Sequence, residues 1–229
     1  MLPLKDNVPT RRVPVVTIGL IAANFLVWFW ELGRPEATVD RYAYYPCSVQ
    51  GPCLGPAVHH HLPAWEGAFS SMFMHASWLH ILGNMLFLWI FGNNVEDALG
   101  RVRFLLWYLA AGLVATATQT FVTLHYAAQV DASVPNLGAS GAIAGVLGAY
   151  LLLLPTARVL TFIGFFIFPV PAFLFLGIWF LLQLWEGDFA ITHPAGGGGV
   201  AFFAHVGGFL FGAATVYLVA KQPPLRRYR

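Results

Sequence analysis

The sequence predicts an all-α membrane protein in which six helices form a bundle across the bilayer. Hydrophobic residues make up 58% of the 229 residues and charged residues only 10%, whereas an average soluble domain carries about 25% charged residues. The mean hydropathy is +0.68. Twelve basic and ten acidic residues are too few to coat a soluble globule of this size. The composition therefore argues against a soluble domain, a disordered chain and a nucleic-acid-binding protein.

Five apolar runs are clear candidates for spanning helices, because a hydrocarbon core about 30 Å thick requires roughly 20 apolar residues of helix. The first run is long for a signal-peptide core and no obvious cleavage site follows it, so we expect it to be retained. The fourth run is short and rich in Gly and Ala. The runs are Val13–Trp30, Met72–Gly92, Phe104–Leu124, Ser140–Leu154 and Gly199–Ala220.

The remaining apolar stretch, Val159–Trp185, is interrupted by Pro169 and Pro171. It is either one span preceded by a membrane-lying segment or two short spans. With one span, both termini and ten basic residues share a side, which the positive-inside rule identifies as the cytoplasm, and only Arg34 and Arg41 lie on the other side. We therefore predict six spans. The ten basic residues are Lys5, Arg11, Arg12, Arg101, Arg103, Arg158, Lys221, Arg226, Arg227 and Arg229.

This topology divides the chain into three parts. Residues 1–12 form a cytoplasmic N-terminal tail, residues 13–220 the six-helix membrane domain, and residues 221–229 a basic cytoplasmic C-terminal tail. We expect an integral multi-pass protein, located in a bacterial plasma membrane with both termini in the cytoplasm.

The first outer loop, about residues 32–71, contains the two cysteines and a histidine run. Cys47 and Cys53 either form a small-loop disulfide in an oxidising compartment or remain unpaired thiols. The histidines of His59–His61 could bind a metal, but we favour the interpretation that they belong to an exposed loop without a metal. Two cysteines are too few for a metal cage of their own.

Polar side chains inside membrane spans are costly and therefore indicate function. Here they are few: His75, His80 and Asn84 in the second span, Ser140 in the fourth and His205 in the sixth. No Asp, Glu, Lys or Arg lies deep in any span, which argues against an ion-coupled transporter. A haem protein with two of these histidines as axial ligands is a further alternative.

Two stripes of small residues predict which helices pack together, because such stripes let helix backbones approach closely in a bilayer. If they pack, Ser140 and His205 meet near the outer ends of their helices, at the level of His80 and Asn84. A Ser–His hydrogen bond is the minimal activated nucleophile. The one nearby acid, Asp131, is a weak candidate to orient the imidazole, so a dyad is expected. The stripes are Ser140, Ala144 and Gly148 in the fourth span, and Ala204, Gly208 and Gly212 in the sixth.

Acyl transfer also requires donors aimed at the developing oxyanion. The Asn84 amide, the His80 imidazole and the backbone N–H of Ser140 are the candidates. Gly141 follows the serine, and its missing side chain is expected to let a substrate backbone approach closely.

Three motifs now match a known family. They are HxxxN at His80–Asn84, GxSG at Gly138–Gly141 and AHxxGxxxG at Ala204–Gly212, in this order on the second, fourth and sixth spans. The chain resembles the bacterial six-helix rhomboid intramembrane serine proteases over about Phe69–Leu218. GxSG alone is weak, but the three motifs together are specific.

The resemblance implies hydrolysis of peptide bonds in or near the transmembrane segments of membrane-protein substrates, without a cofactor or metal. Ser140 is the implied nucleophile and His205 the general base, while His80, Asn84 and Ser140 form the oxyanion hole. The alternative is an inactive rhomboid-like protein that binds transmembrane helices; both reactive residues are retained, which favours the enzyme. The implied supporting residues are Gly138, Gly141 and Gly208.

The chain departs from the rhomboid pattern at Ala144, where some members carry an aromatic ring on which the imidazole stacks. We expect another aromatic to position the imidazole, with Phe202, Phe203 and Phe209 as candidates. The Trp-Arg pair found in the first outer loop of many members is absent. The short fourth helix predicts a water-filled cavity above Ser140, with substrate entering laterally beside the fifth helix.

Overall fold

The computed structural model describes residues 1–54, 61–192 and 201–221. A π-helical stretch, Leu88–Gly92, joins the helices Trp78–Phe87 and Asn93–Leu99, and short 3-10 turns lie at Pro46–Ser48, Ser71–Phe73 and Gln129–Ser133. The elements in chain order are β1 Leu2–Asp6, α1 Val15–Glu31, α2 Glu36–Tyr42, α3 Ala64–Ser70, α4 Trp78–Phe87, α5 Asn93–Leu99, α6 Arg101–Tyr126, α7 Ser140–Leu153, β2 Arg158–Ile163, β3 Phe166–Pro171, α8 Ala172–Thr192 and α9 Phe202–Val219.

The described helices form a multi-pass membrane bundle. Three of them, α6, α8 and α9, are each long and apolar enough to cross a membrane. The pair Ala64–Phe73 and Trp78–Leu99, bent by 82° at its break, is a fourth candidate span. Two further apolar helices are shorter, with 17 residues in α1 and 14 in α7. The total of six spans stays a prediction.

The Val159–Trp185 stretch is a β-hairpin followed by one long helix that is a candidate span, which agrees with the single-span interpretation, although the sequence did not predict strands in the preceding segment. Strands β2 and β3 pair antiparallel, and β1 pairs antiparallel with the other edge of β2. Pro169 and Pro171 lie in β3, immediately before α8, because proline disfavours the helix interior. Residues 2–6, expected in a tail, form β1 and belong to the folded domain.

The small sheet lies at the end of the bundle opposite Ser140. Asp6 Oδ2 accepts hydrogen bonds from Tyr150 Oη at 2.5 Å and from Asn94 Nδ2 at 2.7 Å. Tyr150 lies in the last turn of α7, the helix that begins at Ser140. At the same end, the backbone N–H of Lys221 donates to the C-terminal turn of α5. The N-terminal strand and the end of α9 therefore lie at the same end of the bundle.

The first helix is capped by a carboxylate from elsewhere in the chain. Its own N-cap residue, Pro14, makes no side-chain capping bond. Instead Glu96, which is buried, accepts from the backbone N–H of Val16 at 3.0 Å and from the N–H and hydroxyl of Thr17, both at 2.8 Å. A negative charge at a helix N-terminus satisfies free N–H groups and the helix dipole. Glu96 thus ties α1 to α5.

The first outer loop is fixed to the segment that leads into α7. Cys47 and Cys53 form a disulfide, with their Cα atoms 5.2 Å apart, which resolves the alternative that the sequence left open. The backbone of Tyr44 exchanges hydrogen bonds of 3.2 and 2.7 Å with that of Asn136. His61 is described, whereas the rest of the His59–His61 run lies outside the described residues.

Candidate active site

Ser140 and His205 lie side by side, as the sequence predicted. Ser140 is the first residue of α7 and His205 lies in the first turn of α9. Ser140 Oγ is 2.7 Å from His205 Nε2, a hydrogen-bonding distance. Both side chains are half-buried.

Glycines bring the two helices close enough for this contact. A Cβ on Gly208 would overlap the carbonyl oxygen of Gly141, and one on Gly212 would overlap that of Gly145. The contacts advance in the same order along both helices, so α7 and α9 run parallel, as predicted. The bare Cα of Gly141 faces Ala115, which a Cβ would approach to 2.6 Å. That missing side chain therefore lets α7 pack closely against α6, while the room for substrate that the sequence suggested stays a prediction.

The second ring nitrogen of His205 is hydrogen-bonded to Gln183, which was not among the predicted site residues. His205 Nδ1 lies 2.6 Å from Gln183 Oε1, on α8. An amide oxygen can only accept, so this bond requires the proton on Nδ1 and leaves Nε2 free to accept from Ser140 Oγ. A sequence signal for Gln183 existed, because it is the only amide or charged side chain between Ala172 and Trp185.

The predicted oxyanion donors lie beside the loop that leads into Ser140. Gly138 has a φ of +121°, a backbone conformation that favours glycine. A Cβ there would lie 2.7 Å from His80 Nε2 and 3.6 Å from Asn84 Nδ2. As the first residue of α7, Ser140 also has a backbone N–H without an intrahelical acceptor. The loop and α4 thus bring the N–H groups of His80 Nε2, Asn84 Nδ2 and the Ser140 backbone close to Gly138.

A model of the rhomboid domain matches residues 63–222, which include every residue of the predicted site. The chain belongs to the rhomboid family. This family includes proteases and inactive members, and it generally acts on transmembrane substrates.

Named relatives agree with this membership. Rhomboid protein 1, mitochondrial, of Saccharomyces cerevisiae is 30% identical over 161 residues, which are 69% of this chain and 43% of the relative. Presenilin-associated rhomboid-like protein, mitochondrial, of Homo sapiens is 31% identical over 141 residues, 61% of this chain and 33% of the relative. Rhomboid-like protein 11, chloroplastic, of Arabidopsis thaliana is 30% identical over 173 residues, 72% of this chain and 56% of the relative. The rhomboid chain thus spans between a third and somewhat over half of these relatives.

Two aromatic rings lie next to the His205 imidazole in this rhomboid chain. Trp179, on α8, has its ring centroid 5.9 Å from that of His205 at an angle of 39°. Phe202 approaches edge-on at 6.5 Å, so one of the three predicted aromatics contacts the imidazole. Phe209 instead packs against Trp179, with ring centroids 6.1 Å apart. Trp179 was outside the predicted set, because its apolar surroundings in sequence look like any lipid-facing segment.

Two histidines support the oxyanion side of the rhomboid site. Asn84 Nδ2 donates to His75 Nε2 at 3.0 Å, so His75 holds one hydrogen of the Asn84 amide. The backbone N–H of His75 lies 3.3 Å from both carboxylate oxygens of Glu31, a buried acid at the end of α1. His80 Nδ1 accepts from the N–H of Ala76 at 3.4 Å, which leaves the proton on Nε2, the atom facing Gly138.

A small open cavity of about 30 Å³, enough for about two water molecules, adjoins Ser140. Half of its lining residues are Gly or Ala, and Ser71, Gln119 and Asn136 contribute polar groups. These polar groups can hydrogen-bond to water, and the water-filled cavity above Ser140 stays a prediction. Asp131 accepts from the N–H of Ala128 in its own turn. The structure gives the orienting contact to Gln183 instead.

Proposed function

We propose that the chain is an intramembrane serine endopeptidase that hydrolyses peptide bonds in or near the transmembrane segments of membrane-protein substrates. The observation that carries the proposal is the hydrogen-bonded series Ser140–His205–Gln183, with bonds of 2.7 and 2.6 Å. This is the arrangement of nucleophile, base and orienting group that acyl transfer requires.

The first half of the reaction forms an acyl-enzyme. Ser140 Oγ attacks the carbon of the scissile carbonyl while its proton moves to His205 Nε2. The resulting tetrahedral intermediate carries an oxyanion, and the imidazolium bears hydrogens on both nitrogens, one of them held by Gln183. The C–N bond then breaks, and Nε2 gives its proton to the leaving amine.

The second half uses water from the adjoining cavity. His205 takes a proton from this water, whose oxygen attacks the acyl carbon, and returns the proton to Ser140 Oγ as the C–O bond breaks. In both halves the oxyanion accepts hydrogen bonds from Asn84, from His80 Nε2 and from the backbone N–H of Ser140. Removing one such donor typically lowers kcat by roughly 100- to 1000-fold.

The proposal includes an orientation. Tyr44 and Asn136 join the disulfide-bearing loop to the segment before Ser140, so the disulfide and the site belong to one end of the bundle. Disulfides persist in oxidising compartments. We therefore place this end at the outer face of a bacterial plasma membrane and both termini in the cytoplasm, with six spans in total. The named relatives are mitochondrial or chloroplastic, and the same topology would suit an organelle membrane.

The test is cleavage of a single-pass model substrate in liposomes. The wild type should release two fragments and Ser140→Ala none, while Ser48→Ala, the same change in the outer loop, should cleave normally. Persistent cleavage by Ser140→Ala would refute the mechanism. Binding of the substrate without cleavage by the wild type would instead support the inactive helix-binding alternative. A fluorophosphonate should label Ser140, and labelling should disappear in His205→Ala.

A further inference from the structure

The hairpin of β2 and β3 exposes large apolar side chains at the end of the bundle opposite Ser140. Phe165, at the turn, is 94% exposed, and Phe166 and Phe168 are 67% and 49% exposed. No charged residue lies between Val159 and Trp185. So large an apolar surface requires a partner, since soluble surfaces seldom leave such patches uncovered.

The face of the hairpin away from the bundle exposes Phe162 and Ile167 but also carries Arg158. The face toward the bundle carries no charged side chain and is its apolar face. Val159 and Thr161 are fully buried against the bundle. Side chains alternate along a strand, and the register pairs Thr161 with Phe168 and Ile163 with Phe166. Ile163, Phe166 and Phe168 therefore continue the bundle-facing surface beyond the edge of the bundle. The rings of the two phenylalanines lie 6.0 Å apart.

The opposite face carries the charges of the sheet. Arg158 precedes Val159 and is exposed on the side away from the bundle. Lys5 pairs with Leu160 on that same face and is also exposed. The hairpin is thus amphipathic near its base, with cations turned away from the bundle and apolar side chains turned toward it. Near the tip Phe162 is also exposed, so the tip is apolar on both faces.

The apolar face is continuous with a lipid-facing helix. Strand β3 ends at Pro171 and α8, a candidate membrane span, begins at the next residue. The first turn of α8 exposes Phe173 and Leu174, which face lipid if α8 crosses the bilayer. Pro169 and Pro171 carry no N–H, so the edge strand presents fewer unpaired donors to an apolar surrounding. The hairpin therefore begins where α8 reaches the membrane surface.

We propose that the hairpin lies on the membrane, with Ile163, Phe165, Phe166 and Phe168 inserted between the headgroups and the acyl chains of the adjacent leaflet. Lipid is the partner because the apolar face points toward the bundle, and therefore toward the bilayer that surrounds it. Lys5 and Arg158, on the other face, remain in water or meet anionic headgroups. This anchoring is independent of whether Ser140 cuts a substrate.

The test is the depth of nitroxide labels in liposomes of phosphatidylcholine and phosphatidylglycerol, measured by EPR power saturation. The native cysteines are joined in a disulfide, so single labels can be attached at Phe166→Cys and, separately, at Phe168→Cys. Lys5→Cys serves as the water control and Leu181→Cys, 63% exposed on α8, as the lipid control. Oxygen reports collisions in lipid and a polar nickel chelate reports collisions in water.

We expect the ratio of oxygen to nickel collisions at both hairpin labels to be several-fold higher than at Lys5→Cys and to approach that at Leu181→Cys. A ratio equal to the water control at both positions would overturn the proposal. Low collision rates with both reagents, together with spin–spin broadening, would also overturn it and would show that a second copy covers the hairpin. Agreement between two separately labelled variants guards against local misfolding.

Discussion

Replacing Gln183 by leucine removes the acceptor of the His205 Nδ1–H while keeping a side chain of similar size. In the wild type this bond is 2.6 Å long and fixes the imidazole with Nε2 toward Ser140. Without it, the imidazole loses its preferred tautomer and the imidazolium formed during acyl transfer loses one partner. We therefore expect Gln183→Leu to slow the chemical step.

The magnitude follows from the kind of bond that is lost. A hydrogen bond to a group that becomes charged contributes about 1.5–3 kcal/mol. Each 1.36 kcal/mol in activation free energy is a factor of ten, so kcat should fall by about 10- to 150-fold. Gln183 contacts the imidazole, and the proposal assigns it no contact with substrate. KM should accordingly change little.

The assay is steady-state cleavage of the liposome substrate, combined with ¹⁵N NMR of the histidine side chains. Gln183→Leu should lower kcat, and the His205 signals should show a mixture of tautomers in place of the Nδ1–H form. Gln183→Glu restores an acceptor and should recover part of the rate. Gln129→Leu, the same change at an exposed outer-loop position, is the matched control.

Wild-type kcat in Gln183→Leu, with the variant folded and its tautomer unchanged, would refute this reasoning. A variant that lost stability but kept both kcat and the Nδ1–H tautomer would assign Gln183 to packing alone. A rise in KM at constant kcat would place Gln183 in substrate binding instead.

Three further predictions concern the loop, the cap and the sheet. Gly138→Ala should lower kcat at least tenfold, because positive φ costs about 1–3 kcal/mol and the new Cβ would press on His80; unchanged kcat in the liposome assay would contradict this. Glu96→Ala should destabilise the protein by about 2–3 kcal/mol, measured by denaturation in detergent, whereas the exposed Glu36→Ala should have little effect. Burial raises the pKa of Asp6 from 3.8 to about 6, so the folded state binds the proton more tightly than the unfolded state between these values. Stability should therefore fall by about 2 kcal/mol as pH rises from 4 to 6, and Asp6→Asn should abolish that component; an unchanged pH profile in Asp6→Asn would contradict the assignment.

Sequence patterns within single helices were enough to predict that Ser140 and His205 meet, because the motifs and the stripes of small residues are short and local. The glycines of α7 and α9 predicted parallel close packing, and this packing brings Ser140 against His205. The role of Gln183 could not be predicted from sequence patterns alone. An amide in an apolar helix signals function by the same rule that selected Asn84, but only the structure shows which way that helix turns it.

The hairpin and the cap of α1 depend on partners distant in sequence, which local patterns do not reveal. An apolar run such as Val159–Ile163 is equally compatible with a helix or a buried strand, and the strand forms because residues 2–6 and 166–171 pair with it. Glu96 sits among charged residues that look like an ordinary surface turn. Its role follows from the approach of α1, some 80 residues earlier in the chain.

The identity of the orienting group fits the environment of the site. A carboxylate at position 183 would have to be removed from water within a helix whose neighbours are nearly all apolar, and burying an unpaired charge costs several kcal/mol. A neutral amide accepts the same Nδ1–H bond without that cost. In the proposed site, Gln183 therefore stabilises the imidazolium less strongly than a carboxylate would. In return, the resting site contains no buried charge at position 183. On this reasoning Gln183→Glu should recover the imidazole tautomer while lowering the stability of the protein, so orientation and charge can be separated at a single position.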